Sequence, residues 1–442
     1  MPETAKAPQA LHFNELPPEL IGRDQALSAY QQVRSASDAF SEGLSAEDQN
    51  LQSMPDASPI KWHRAHTSWF FETFLLKPHL PGYRPYNDAF AYLFNSYYNS
   101  LGAQYPRAAR GLISRPDAAD INRYRSHVDQ AMSALLAHAD AAADRARIMN
   151  LLILGLNHEQ QHQELMVTDL KHAFSHNPTA PAIIELNGQN GAERPLQWLH
   201  FDAGLVETGF DGDSFHFDNE GPRHQVFLAP FSLADRPVSC GEFADFIDDG
   251  GYQRAELWLS DGWAWIKEQS ISHPLYWQRQ DNQWHIYTSG GRRCLDRSEP
   301  VCHLNFYEAC AYAEWAAARL PLEAEWEHAS RLAGARGILA DDRRYHPDAP
   351  GQSDGQLAQM FGGVWEWTRS SYAPYPGFRP ASGAVGEYNG KFMANQMVLR
   401  GGSCATPGGH IRPSYRNFFY PRDRWQFSGL RLARDGAAGP SA

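Results

Sequence analysis

The sequence predicts an α + (α+β) chain, with a four-helix bundle over residues 1–185 followed by a mixed helix-and-sheet domain over residues 186–442. Three observations carry this reading. The chain's 442 residues exceed what one hydrophobic core organises, and at ~150 residues per domain they allow two or three domains. From Leu20 to His176 apolar residues recur at helical spacing, in proline-free stretches such as Tyr124–Ala143 and Ala146–Phe174. The bridge NPTAPAIIELNGQNGAERP then ends that pattern, and short strands and turns multiply beyond it.

Arg23–Leu44 and Ile60–Leu76 read as two further helices, which completes a bundle of four. The irregular segment Lys77–Pro116, rich in tyrosine and arginine, is long for a plain connection and is a candidate functional loop. In the second domain helices are expected at Cys240–Asp248 and Tyr307–Ala318, and a strand at Met397–Arg400. No repeat of fixed period is present.

Composition narrows the function class. With 43% hydrophobic and 20% charged residues the usage is globular. The formal net charge of -12 repels phosphate backbones, so nucleic acid is not an expected partner. No stretch approaches the ~18 apolar residues of a membrane span, and the N-terminus lacks the basic-then-apolar order of a secretory signal. The five cysteines, Cys240, Cys294, Cys302, Cys310 and Cys404, are an odd number and argue against a disulfide framework. A reducing cytoplasm is the expected location.

The segment Asn157–Leu165, NHEQQHQEL, lies inside the best helical pattern of the chain. His158 and His162 are four residues apart, so their imidazoles leave the same face and can share one cation. Imidazole suits iron, zinc, copper or nickel rather than magnesium or calcium. A hydrogen-bonded core pair has the same spacing, so context decides. HEQQH also matches the HExxH zinc-peptidase pattern, in which the glutamate is the general base. The extended form of that motif requires a further histidine where this chain has Thr168, and its glutamate variant finds only Glu185, in the proline-rich bridge. A second source of ligands is WHRAHTSWFF, where His63 and His66 are three residues apart on another helix. Buried among Trp62, Trp69 and Phe70, either one needs a partner. Three neutral histidines would leave the charge of a divalent cation uncancelled and coordination positions open, which favours redox chemistry.

SPIKWHRAHTSWFFETF, YLFNSYYNSLG, NHEQQHQELMVTDLKH, VLRGGSC and HIRPSYRNFFYPRDRWQFSGLRLAR resemble the ergothioneine-forming sulfoxide synthases, which are non-haem iron enzymes. The resemblance runs from about Arg23 to Arg434. Its first half is similar to DinB-type helical bundles. The second, through PVCHLNFYEACAYAEWAAARLPLEAEWEHASR and GGVWEWTRSSY, is similar to the C-type-lectin-like fold of the formylglycine-generating enzymes.

The resemblance implies oxidative bond formation between a thiol donor, cysteine or γ-glutamylcysteine, and imidazole C2 of hercynine, with iron(II) as cofactor and O2 as co-substrate. It places the iron on His66, His158 and His162, with His63 as the fallback and Glu164 as a supporting residue. It assigns Gln161 and Asn417 to hercynine, with Phe418 and Phe419 close by; a quaternary ammonium is best held by aromatic faces. Arg107 and Arg110 match arginines that bind the donor carboxylate. Tyr97 or Tyr98 is the expected proton donor.

Two departures stand out. Gly363 occupies an expected aspartate position in the turn before VWEWT, and Cys310 replaces a frequent acidic residue. Such changes fit a branch with another donor, selenoneine synthase, which joins a selenosugar to the same hercynine carbon. Rival readings are a zinc peptidase, a non-catalytic binding protein, and a formylglycine-generating oxidase. The last relies on paired cysteines after RGGS, and here Cys404 is the only cysteine beyond Cys310.

Overall fold

Helix α2, Ile60–Phe71, is buried at every position, including Lys61, His63, Arg64 and His66. Buried polar side chains need partners, so the rest of the first half is arranged to supply them. The computed structural model describes residues 13–139, 144–186, 191–332, 336–351 and 356–436. Around α2 pack α1 (Arg23–Glu42), α3 (Ala118–His138) and α4 (Arg145–Ser175).

Two helix boundaries differ from the sequence reading. Helix α3 starts at Ala118 rather than Tyr124, because Asp117 and Asp120 cap its first turn reciprocally, at 2.8 and 3.1 Å. Its expected end at residues 140–143 lies outside the described residues. The second expected helix stops being α-helical at Phe71 and continues as a π-helical turn, Glu72–Leu76. The Glu72 carboxylate there accepts hydrogen bonds from the Tyr83 and Tyr124 hydroxyls and the Tyr86 N–H.

Helix α4 is held differently on each side. Towards α1, Glu159 accepts from Arg34 at 2.9 Å and Ser37 at 2.7 Å, and beside them from Arg125 of α3 at 3.2 Å, all buried. Towards α2, Gly155 admits the rings of Phe70 and Phe71; a Cβ on Gly155 would sit 2.5 Å from Phe71 Cε1. Towards the second half, Glu164 accepts from Trp365 Nε1 at 2.8 Å, Ser403 Oγ at 2.5 Å and Thr406 Oγ1 at 2.6 Å.

Beyond residue 191 the described strands form four small sheets. The one that matters for the site has four strands, β1 Trp365–Ser371, β2 Met397–Arg400, β3 Asn417–Phe419 and β4 Ser428–Gly429, in the order β3-β2-β1-β4. Buried ion pairs floor it: Arg431 on Glu366 at 2.7 Å, and Arg400 on Glu323 at 3.0 Å. The expected helices appear at Cys240–Asp248 and Phe306–Trp315, the second capped by Asn305 and Glu308. Helices at Ser260–Glu268 and Glu323–Leu332 lie beyond those the sequence reading named. Among the described residues no helix is long and apolar enough to cross a membrane.

Replacing Glu159 with alanine removes the fully buried carboxylate shared by two buried guanidinium groups, leaving Arg34 and Arg125 only the partly exposed Asp129 and Asp38. The expected loss is about 3–5 kcal/mol, read as a lowered urea midpoint of the metal-free protein.

Candidate metal centre

His66 on α2 and His158 and His162 on α4 offer ligand atoms that all lie within 4.8 Å of one another. Their ring centroids are 4.9, 4.7 and 4.6 Å apart, close to an equilateral triangle. Exposure is 2% for His66 and 9% for each of the other two. Burial holds the imidazoles of His66 and His162 well below the usual histidine range and pushes His158 down to about 3. All three are therefore neutral at pH 7, the form that ligates.

The hydrogen bonds decide which nitrogen faces inward. His66 Nδ1 lies 2.6 Å from the Phe94 carbonyl and donates to it, which leaves the Nε2 lone pair free. That Nε2 is 3.1 Å from Nε2 of His158. His162 Nδ1 meets Nδ1 of His63 at 2.8 Å, and so also turns its Nε2 elsewhere. A cluster of inward lone pairs lacking a carboxylate fits a borderline divalent cation such as iron or zinc. The rings are held by stacking: Trp62 lies on His66 at 4.7 Å and 12°, and Trp69 at 5.6 Å and 13°.

His63, the fallback ligand, stands behind His162 and not among the three. Glu164 is engaged by Trp365, Ser403 and Thr406 of the second half. Glu159, the general base that a peptidase would need, is locked onto Arg34 and Arg125.

The other singled-out residues come from both halves. Gln161 donates to the Tyr415 hydroxyl at 2.8 Å; Tyr415 in turn meets His410, and His410 meets Asn157 of α4. Asn417 starts β3 opposite Leu399, and its side-chain Oδ1 accepts from the Phe418 N–H. Phe418 stacks on Tyr372 at 4.1 Å, whereas Phe419 packs edge-on against Trp425 at 5.7 Å. Arg107 donates to the Tyr97 hydroxyl at 2.7 Å. Arg110 is buried 3.4 Å above Trp62, bonded only to the hydroxyls of Ser58 and Ser96 and without an acidic partner among the described residues. Burial pushes its guanidinium down to about 9. Tyr98 packs on Trp69 and Phe74, and burial raises its phenol well above the usual range.

Residues 29–166 match the DinB superfamily, and residues 186–356 and 344–436 match the sulfatase-modifying factor enzyme 1-like domain. Hercynine oxygenase of Mycolicibacterium smegmatis is 35% identical over 64% of this chain and 71% of its own length. The hercynine oxygenases of Mycobacterium tuberculosis and Mycolicibacterium thermoresistibile are 32% and 30% identical, each over 86% of this chain and 92% and 88% of their own lengths. This chain belongs to the hercynine oxygenase family. It is an oxygenase, in which a DinB-like helical part is followed by a sheet-containing sulfatase-modifying-factor-like part.

In this hercynine oxygenase relative, Gly363 has φ +75, in the left-handed region that suits glycine best and that aspartate tolerates better than most residues. Cys310 is half-buried on its helix, and burial pushes its thiol up to about 12, so it is an inert packing group. Sequence reasoning missed Asp169, which accepts from His63 at 3.1 Å, although its place seven residues after His162 puts it on the same face of α4. It also missed Tyr388 and Phe392, which pack on Tyr97 at 5.9 and 5.2 Å from a turn with no distinctive spacing.

The three imidazoles stay neutral when folded but titrate near 6.5 when unfolded, so below about pH 6.5 the unfolded chain binds more protons. Stability from this source is full above that pH and is lost as pH falls towards the folded-state values. In the metal-free protein the urea midpoint should drop between pH 7 and pH 5, and less steeply in His158→Gln.

Proposed function

We propose that this protein joins a thiol donor to imidazole C2 of hercynine, with ferrous iron held by His66, His158 and His162 and dioxygen as oxidant. The observation that carries the reading is the convergence of three neutral, buried imidazoles from two helices. The balance is one thiol, one C2–H and one O2 giving one sulfoxide and one water. Both hydrogens leave in the water, and the four electrons come from the substrates. Bound at the three histidines, iron would supply the redox chemistry by which dioxygen becomes reactive.

The rest falls to the chain's own side chains. Tyr97 accepts from Arg107, which leaves its own O–H free to donate a proton and sets a cation beside any phenolate that results. Tyr98, wedged against Trp69 and Phe74, forms wall rather than acid. Gln161, fixed by Tyr415, and Asn417 would orient the imidazole and carboxylate of hercynine, with Phe418 and Phe419 as aromatic neighbours of its ammonium. Arg107 and Arg110 would take the donor carboxylate, and the missing acidic partner of Arg110 supports that role. The division of labour follows the proposed domains, 1–185 supplying the metal and 186–442 the lid over it. The five cysteines are all free, which suits a reducing cytoplasm.

Iron-loaded protein incubated with hercynine and oxygen should give a sulfoxide by mass spectrometry with cysteine or γ-glutamylcysteine. A carbon–selenium product from a selenosugar, with no sulfoxide from either thiol, would move the assignment to selenoneine synthesis. His158→Ala should abolish both product and equimolar iron.

Arg107→Ala should raise KM for the thiol donor at least tenfold, which corresponds to about 1.4 kcal/mol, and leave KM for hercynine nearly unchanged.

A further inference from the structure

Behind the metal centre runs a short chain of buried hydrogen bonds. Asp169 Oδ2 accepts from the Ser58 N–H at 2.8 Å and lies 3.1 Å from His63 Nε2, while His63 Nδ1 lies 2.8 Å from His162 Nδ1. Asp169 is 5% exposed and His63 2%.

A carboxylate only accepts, so the His63 proton sits on Nε2. His63 Nδ1 is then an acceptor, and the hydrogen between the two rings belongs to His162. The Nε2 lone pair of His162 is thereby the one presented to the centre. We propose that His63 and Asp169 are a positioning pair that fixes the orientation and tautomer of His162 and strengthens it as a donor. Neither is itself a ligand.

The three histidines differ in this respect. His66 leans on a neutral backbone carbonyl, and His158 Nδ1 is buried without a hydrogen-bond partner among the described residues. Only His162 is backed, through a second ring, by a carboxylate. Outer partners of this kind commonly govern affinity by 10- to 100-fold. Charge on Asp169 thus compensates, at one remove, for a centre built entirely from neutral ligands.

The inference rests on the proposed three-histidine metal site, so the test reads metal binding directly. Full-length protein would be titrated with Co(II), following affinity, stoichiometry and the visible ligand-field bands, with thermal unfolding of the metal-free forms as a check on folding. His63→Phe should bind equimolar Co(II) about 10- to 100-fold more weakly with displaced bands. His63→Asn, whose side-chain oxygen can again accept from His162 Nδ1, should recover part of the affinity. Asp169→Asn keeps the shape of the bond but removes the charge, and should show a smaller loss with bands displaced in the same direction.

Unchanged affinity and bands in both His63→Phe and Asp169→Asn would overturn the proposal. So would the loss of one coordinated nitrogen in His63→Phe, measured by pulsed electron paramagnetic resonance on Cu(II), because His63 would then be a ligand. If wild-type protein bound no equimolar metal, the site itself would be wrong and this inference would go with it.

Discussion

Helix α4 has to satisfy three neighbours at once, and the rest of the molecule depends on its doing so. At 100° per residue its side chains sort into three faces. Glu159 and Gln163 turn to α1, where the carboxylate holds Arg34 and the amide reaches Ser37. Gly155, His158, His162 and Asp169 turn to α2. Asn157, Gln161, Glu164 and Lys171 turn to the second half, reaching His410, Tyr415, Trp365 and His303. One rigid rod therefore carries bundle stability, ligands and the junction, and a rotation about its axis would spoil all three together.

Charge explains why the centre is built as it is. The ligands are neutral, Arg110 sits nearby without an acidic partner among the described residues, and Arg107 adds a second cation. Such a site is short of negative charge when free. Anionic groups arriving with small-molecule substrates would complete it, which gives binding an electrostatic gain that a carboxylate-lined cluster would lack. The buried Lys171, pushed down to about 8 and bonded to His303 at 2.6 Å, shows the same restraint, a cation tolerated because a neutral imidazole shares its proton.

Much of this was legible in the sequence. The spacing of His158 and His162 specified a shared face, and WHRAHTSWFF declared a helix whose polar residues must be buried and partnered. The end of helical periodicity after His176 marked the change of architecture. What could not be read was the pairing between elements. Nothing in the local pattern tells whether His63 or His66 points inward; that depends on the Phe94 carbonyl and on Asp169, distant in sequence. Glu164 could be seen as a supporting residue, but its partners Trp365, Ser403 and Thr406 lie about two hundred residues away. The Asp117 cap was available to a closer reading, since Asp at that place opens a helix with Asp120 as its counterpart.

Gly155 acts at a distance. A glycine inside a long helix ordinarily costs about 1 kcal/mol relative to alanine, so a stability-minded redesign would remove it. Here the missing methyl acts as a shim removed from between two rods, letting Phe70 and Phe71 close onto α4 one turn before His158. An alanine would improve the helix on paper and push the rods apart, and the fault would surface as a triangle of imidazoles too wide to share one atom.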